Sequence, residues 1–370
     1  MRISHLLPSS ADSAAGLASA AGGLASAQGQ QGHEIKLHAA DTFPFGRRSA
    51  GLIAASSCCD VVHSHGLWLA PSAASGRLAA RGMPVLIAPH GMLDPWAWRH
   101  HRGRKRLLWA LRERHALQSA RCLQALCSAE RAAIQALGLR VPIALIPNGI
   151  NMPDRSAAAL AALPPPPWTH VIPAGAPVLL FLGRFHEKKG IQPLLAAWQQ
   201  LQAAMPVGSE RPSLVLAGFG DGGALARQLR QHPIQDVHCV GALHGSAKAS
   251  AFSHAQGFVL PSLSEGLPMA ALEAMSWGLP CLLSAACNLP EAFACGAAWP
   301  ASADVPQLLP VLRQWADASP GQLSAMGAAG RQLAAQRFSW PAIASQTIAL
   351  YSWLISGGAP PPELDLTLVP

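Results

Sequence analysis

Charge is scarce in this chain of 370 residues: Asp, Glu, Lys and Arg make up only 12%, against 50% hydrophobic residues. So little charge excludes a disordered or coiled-coil protein and suits a globular enzyme long enough for two domains, each with its own core. Also missing is any run of the roughly 18–20 apolar residues that spans a bilayer. The N-terminus, with one Arg and a brief apolar run before Pro8, makes a poor signal peptide. The chain is therefore expected to be cytoplasmic, soluble or at most peripheral on the inner face of the membrane. Its eight cysteines include no Cys-x2-Cys pair and no matching histidine spacing, so neither a zinc site nor a disulfide framework is expected. The net charge of +8 suits an anionic substrate, a membrane surface or nucleic acid without choosing among them.

What is present is alternation. Short apolar runs at Asp60–His65, Pro84–Ala88, Ile143–Ile146, Val178–Leu182, Leu214–Ala217 and Gly257–Leu260 read as buried parallel strands. Leu194–Ala203, Ala224–Gln231 and Gln322–Gln336 suit helices between them, giving βαβ units. Leu163 and the four prolines 164–167 break the pattern and divide two α/β domains, about 1–150 and 168–335. Residues 11–32, rich in Ala, Gly and Ser, fit a loop, a small-residue helix and the start of a strand. The tail Gly357–Pro370 is expected to be frayed or laid on the surface.

Ligands of open α/β sheets sit beyond the carboxyl ends of the strands, and the unusual polar residues fall there. Gly183-Arg184 through Lys189-Gly190 follows one strand; Arg184 can fork onto phosphate oxygens and Lys189 adds a second positive charge. Its rival is a basic surface turn. Gly218-Phe219-Gly220-Asp221-Gly222-Gly223 matches G-x-G-x-x-G, the dinucleotide pattern, but stands deep in the second half. Asp236 lies in a Pro/Gln-rich loop, so a tight glycine turn near a nucleotide is the better reading.

Glu265 and Glu273, spaced E-x7-E across a loop-to-helix junction, are the most informative pair. Pro268 suits a first helical position, and the amides of Gly266 and Leu267 lie at the positive end of the helix. Two Glu at this spacing also arise by chance, and Glu273 alone would be a solvated helix position. A carboxylate within Met269–Met275, among apolar and small residues, nonetheless needs a reason to be there. His90, straight after a strand in Ala88–Trp98, is a candidate site residue whose plainer reading is structural. From Arg99 to Arg114 seven Lys/Arg stand against one acid, Glu113, among Leu107, Leu108, Trp109 and Leu111. This basic amphipathic stretch fits either anionic lipid or a solvated face, and nucleic acid is not expected as a partner.

These motifs, with Val240-Gly241, the run Leu260–Pro268 to Met275, Gly278-Leu279-Pro280, His63-Ser64-His65-Gly66 and Ile146–Ile150, carry a resemblance over most of residues 1–340. The chain resembles the family 4 retaining glycosyltransferases of the GT-B fold, particularly bacterial enzymes that build exopolysaccharide or lipopolysaccharide. The resemblance implies an α/β protein of two Rossmann-like domains facing across a cleft. Residues 1–165 would bind the acceptor and 166–335 the nucleotide-sugar, while 336–370 would form a helix packing back toward the first domain, and the tail. It implies transfer of a hexosyl group from a nucleotide-diphosphate sugar to a glycan or lipid-linked acceptor. Arg184 and Lys189 would hold the diphosphate, Glu273 the ribose hydroxyls and Glu265 the sugar, with His90 beside the reacting carbon. Gly16, Gly183, Gly218, Gly220, Gly241, Gly266 and Leu267 would complete the donor site. In place of the family's usual Gly-Gly the chain has Ala15-Gly16. No Asp-x-Asp occurs, in agreement with a reaction that needs no metal or other cofactor. A nucleotide-sugar epimerase and a non-enzymatic nucleotide- or sugar-binding protein are the alternatives.

Overall fold

The computed structural model describes residues 1–9, 15–94, 102–206, 211–221, 223–362 and 364–367. The chain forms two units: Met1–Gly149 with Phe338–Pro370, and Ile150–Arg337. The division thus falls at Gly149/Ile150 rather than at the proline block, which lies inside the second unit. There Pro164 accepts a hydrogen bond from Ser250 Oγ (2.7 Å) and Trp168 is buried.

In the first unit, strands β1 (Arg2–Leu7), β2 (Glu34–Ala39), β3 (Val61–His65), β4 (Val85–Ala88), β5 (Cys122–Ala125) and β6 (Ile143–Leu145) are parallel, in the order β6-β5-β4-β3-β1-β2. β3, β4 and β5 are buried along their whole length, as strands covered on both faces must be. The described part of the tail is laid along the edge of this sheet: β13 (Leu366–Thr367) pairs antiparallel with β6, and Asp365 bonds Arg131 at 2.6 Å.

The small-residue run of the N-terminal segment becomes the helix Ala15–Gln30. Its composition has a packing reason: a Cβ on Gly23 would overlap the indole of Trp340, and a Cβ on Gly149 would meet the same ring. Trp340 opens the helix Trp340–Ser356, whose Ile343, Ala344 and Leu350 share a core with Ala20, Leu24 and Ala27.

The second unit is a parallel sheet of β7 (Val178–Leu182), β8 (Ser213–Ala217), β9 (Val237–Gly241), β10 (Gly257–Leu260), β11 (Cys281–Leu283) and β12 (Ala298–Pro300). Its order, β9-β8-β7-β10-β11-β12, is the doubly wound one, with the topological switch between β7 and β10. The first sheet switches between β1 and β3. Strands β1, β5, β9, β11, β12 and β13 escape the apolar-run reading. β1 and β5 carry buried Ser4, His5 and Gln124 in mid-strand, and β9 is an edge strand of intermediate burial throughout. Among the described residues no helix is long and apolar enough to cross a membrane.

Candidate active site

At the switch point of the second unit, the loops that follow β7 and β8 are joined through their backbones. Gly183 N donates to Ala217 O (3.0 Å) and Phe185 N to Phe219 O (2.6 Å), while Gly218 N donates to Gly241 O (2.8 Å). A Cβ on Gly218 would overlap the Gly183 carbonyl oxygen, so this approach admits only glycine. Gly220 lies against Arg184 and Phe185. The structure therefore brings Gly183, Arg184, Gly218, Gly220 and Gly241 to one edge. Arg184 is exposed and has no side-chain partner among the described residues.

A short turn, Glu187–Lys189, ends at Gly190 in the left-handed region (φ 69°), where a side chain would strike the Pro261 carbonyl. That turn carries Lys189 to the end of β10. Lys189 Nζ lies 2.6 Å from Glu265 Oε1, and Ser262 Oγ donates to the same oxygen at 2.5 Å. The two ionised side chains are 13% and 7% exposed. Asn288, itself at φ 56°, donates from its amide to Glu265 O (2.7 Å) and Gly266 O (2.9 Å), fixing the loop from the other side.

The helix Met269–Ser276 has Pro268 at its N-cap (φ −77°, ψ 101°), one position earlier than the sequence suggests. Neither Gly266 N nor Leu267 N donates to an acceptor among the described residues. Glu273 is not the buried charge its neighbours imply. Its side chain is 29% exposed and pairs with Lys248 at 2.6 Å, a partner that sequence reading missed. The glycine motif after β8 departs from a dinucleotide cradle. Asp221 Oδ1 accepts from Gly223 N (2.9 Å) and Oδ2 from Leu225 N (2.6 Å), so a carboxylate of the chain itself caps the helix Ala224–Gln231. A pyrophosphate would need that position. Gly222 lies outside the described residues.

In the first unit, His90 follows β4 in a left-handed conformation (φ 53°). It keeps some surface open, yet its ring is desolvated enough to push its pKa down to about 4. The buried Glu130 accepts the amides of Gly91 (2.5 Å) and Leu126 (2.7 Å) and so holds the turn after His90. Burial pushes the Glu130 carboxyl up, and these amides oppose the shift. Behind His90 runs a file of histidines. His5 and His63 are register partners on β1 and β3, and His65 is two residues on, hence on the same face. The ligand-capable nitrogens of His5, His63 and His65 lie within 4.8 Å of one another. His63-x-His65 on a strand was the available signal, but His5 comes from a distant segment. Gly16 is the second residue of the helix Ala15–Gln30, and Pro95–Trp98 lie outside the described residues.

Two parallel doubly wound units are the architecture of GT-B proteins, and solved structures agree. Sucrose-phosphate synthase from Thermosynechococcus elongatus superposes with a TM-score of 0.68 at 20% identity, covering 97% of this chain and 100% of that one. HepE of Anabaena, in complex with UDP and glucose, gives 0.69 at 15% identity, covering 95% and 99%. Residues 176–308 match the family model "Glycosyl transferases group 1", and 41–149 match "Glycosyl transferase 4-like domain". The MMP alpha-(1->4)-mannosyltransferase of Mycolicibacterium hassiacum is 31% identical over 210 residues, 52% of this chain and 50% of that protein. The alpha-maltose-1-phosphate synthase of Mycobacterium tuberculosis is 28% identical over 336 residues, 80% of each. This chain thus spans about half the length of the mannosyltransferase. Fold, family models and relatives together support a group 1 glycosyltransferase.

Proposed function

We propose that this protein transfers a hexosyl group from a nucleotide-diphosphate sugar to a glycan or lipid-linked acceptor of cell-surface polysaccharide synthesis, with retention of configuration and no metal. The observation that carries the proposal is the Lys189–Glu265 pair at the switch between β7 and β10, where an open α/β sheet takes its ligand. The donor's anomeric C–O bond breaks and its electron pair leaves on the diphosphate. A new C–O bond forms to an acceptor hydroxyl, whose proton passes to an oxygen of the departing diphosphate or to water. Lys189, Arg184 and the amides of Gly266 and Leu267 meet the charge that develops on the leaving group. Glu265 contacts the donor sugar, Glu273 the ribose hydroxyls, and His90 the region of the reacting carbon.

Calorimetric titration with UDP, GDP, ADP and NAD, each with and without EDTA, is the test. Binding of one sugar-carrier nucleotide, indifferent to EDTA, is expected. Binding of NAD alone, or of nothing, removes the proposal, and donor consumed without acceptor moves it to an epimerase. Leu107 and Leu111, 60% and 73% exposed among Arg104, Arg106 and Arg114, favour an acceptor reached at a lipid surface. The protein should sediment with anionic vesicles at low salt, and Leu107→Ala with Leu111→Ala should release it. A phosphorylated sugar is the second reading of the acceptor, favoured by the names of the phosphosugar synthases above.

A further inference from the structure

The histidine file of the first unit has a direction, and the direction ends at His90. Thr347 Oγ1 lies 3.0 Å from Ile343 O and 2.9 Å from Ala344 O, so its single proton goes to a backbone carbonyl. Toward Gln28 it therefore presents a lone pair, and Gln28 must turn its nitrogen to it (3.0 Å). That leaves Gln28 Oε1 facing His5 Nε2 at 2.8 Å, and this ring nitrogen has to carry the proton. A neutral imidazole has only one N–H. Burial holds His5 neutral, with a pKa down to about 4, and holds His63 and His65 well below the usual range. His5 Nδ1 is then an acceptor, and His65 Nε2, 2.9 Å away, must donate to it. His65 Nδ1 is an acceptor in turn, and His90 Nε2, at 3.0 Å, donates.

We infer that Gln28, acting through His5 and His65, sets His90 as its Nε2–H tautomer and leaves Nδ1 as a bare hydrogen-bond acceptor for a hydroxyl of the bound sugar. Gln28, His5 and His65 are positioning residues. Their use in transfer rests on the proposed role of His90, but the tautomer does not. A side branch obeys the same logic. Gln28 Nε2 also reaches Tyr351 Oη (3.3 Å), whose own proton then goes to His63 Nδ1 (2.7 Å), so His63 too is protonated at Nε2. The file cannot carry a proton onward, because it stops at an amide. It is an orienting device. Glu130 anchors the backbone of the same turn through Gly91 N, so ring and main chain of His90 are held independently.

The rival for these residues is a metal site. An ion shared by His5, His63 and His65 would need a bare nitrogen from each ring, and taken through the facing pair His5 Nδ1 and His65 Nε2 it would leave His65 protonated at Nδ1, the opposite tautomer. One experiment separates the two. Long-range proton–nitrogen correlation NMR on the full chain with isotope-labelled histidine, at neutral pH, should show the Nε2–H pattern at His5, His63, His65 and His90. Gln28→Met, similar in length but without an acceptor, should give mixed tautomers at His5, His65 and His90. Gln28→Glu, which keeps an oxygen there, should preserve them. Turnover should fall about tenfold in Gln28→Met, on the scale of outer partners that orient a histidine, and recover in Gln28→Glu. An Nδ1–H pattern at His65 or His90 in the wild type overturns the inference, and so does added Zn²⁺ shifting His5, His63 and His65 together. The expected pattern with undiminished turnover in His90→Ala leaves the tautomer standing and removes only the proposed role of His90.

Discussion

The two units share an architecture but place opposite kinds of polarity behind their switch points. The first unit has neutral rings joined in a file, sealed between the sheet and the helices Ala15–Gln30 and Trp340–Ser356. The second has ion pairs, Lys189 with Glu265 and Lys248 with Glu273. Depth explains the difference. Fully buried groups lose so much hydration that neutrality is the cheaper state, and direction rather than charge organises them. Nearer the surface a charge persists when its partner and a hydroxyl, here Ser262, both satisfy it.

Acid is the strongest way to break this contrast. His5 and His90 each titrate near 4 in the folded chain, against 6.5 for an ordinary histidine. Above pH 6.5 both folded and unfolded states are neutral at these rings, and nothing is lost. Below it the unfolded chain takes up protons that the folded chain refuses, so stability falls as pH drops from 6.5 to 4. The loss is about 1.4 kcal/mol per pH unit for a ring whose folded form stays neutral, and several kcal/mol in all. His63 and His65 shift the same way and add to it. Amide exchange should therefore open β1, β3 and β4 across this window while β7, β8 and β10 stay protected. Simultaneous loss in both sheets would end the contrast.

Lys189→Ala should come next. It leaves Glu265, whose side chain is 7% exposed, without its cation, at a cost of about 3 kcal/mol seen in thermal or denaturant unfolding. On the proposed role of Lys189 it should also cost a charge-assisted contact to the donor of about 1.5–3 kcal/mol, roughly ten- to a hundredfold in nucleotide affinity. The double change Lys189→Met with Glu265→Gln separates the two effects: stability should return while affinity stays low. Wild-type turnover in Lys189→Ala would sink the site.

The contrast was only half legible in the sequence. The second unit's site is written locally: Gly183 to Gly190 and Ser262 to Glu273 are short segments in which glycine, basic residue and carboxylate already stand at strand ends. The first unit's network is not local. Gln28, His5, His65 and Tyr351 come from segments as far apart as the two ends of the chain, and only the β1–β3 register and the helix Trp340–Ser356 assemble them. Composition also misled at Glu273, because apolar neighbours on a helix describe its inward face, whereas Glu273 points toward Lys248. The contact of Asn288 with Glu265 O was not legible either, since a carbonyl acceptor leaves no trace in residue type.

Arg184→Ala sharpens the comparison within the second unit. Arg184 is exposed and without a side-chain partner among the described residues, so its removal should leave unfolding unchanged. Donor affinity should still fall about tenfold if the guanidinium meets the diphosphate. A change in stability without a change in affinity would make it a surface turn after all.

The smallest effect belongs to Glu273. Its pair with Lys248 is about one-third exposed on each side, and such pairs contribute about 0–1 kcal/mol. Glu273→Gln should therefore leave unfolding nearly unmoved, unlike Lys189→Ala, and a large loss would mean that exposure does not govern these pairs. Its effect on the nucleotide should be a few-fold, because a glutamine still accepts a hydrogen bond while losing the charge assistance of roughly 1 kcal/mol. Comparing a ribonucleotide with its deoxyribose analogue decides whether the ribose is what Glu273 touches. The wild type should discriminate between them and Glu273→Gln much less, with the two losses overlapping rather than adding. Full additivity would place Glu273 away from the ribose and leave it a surface partner of Lys248.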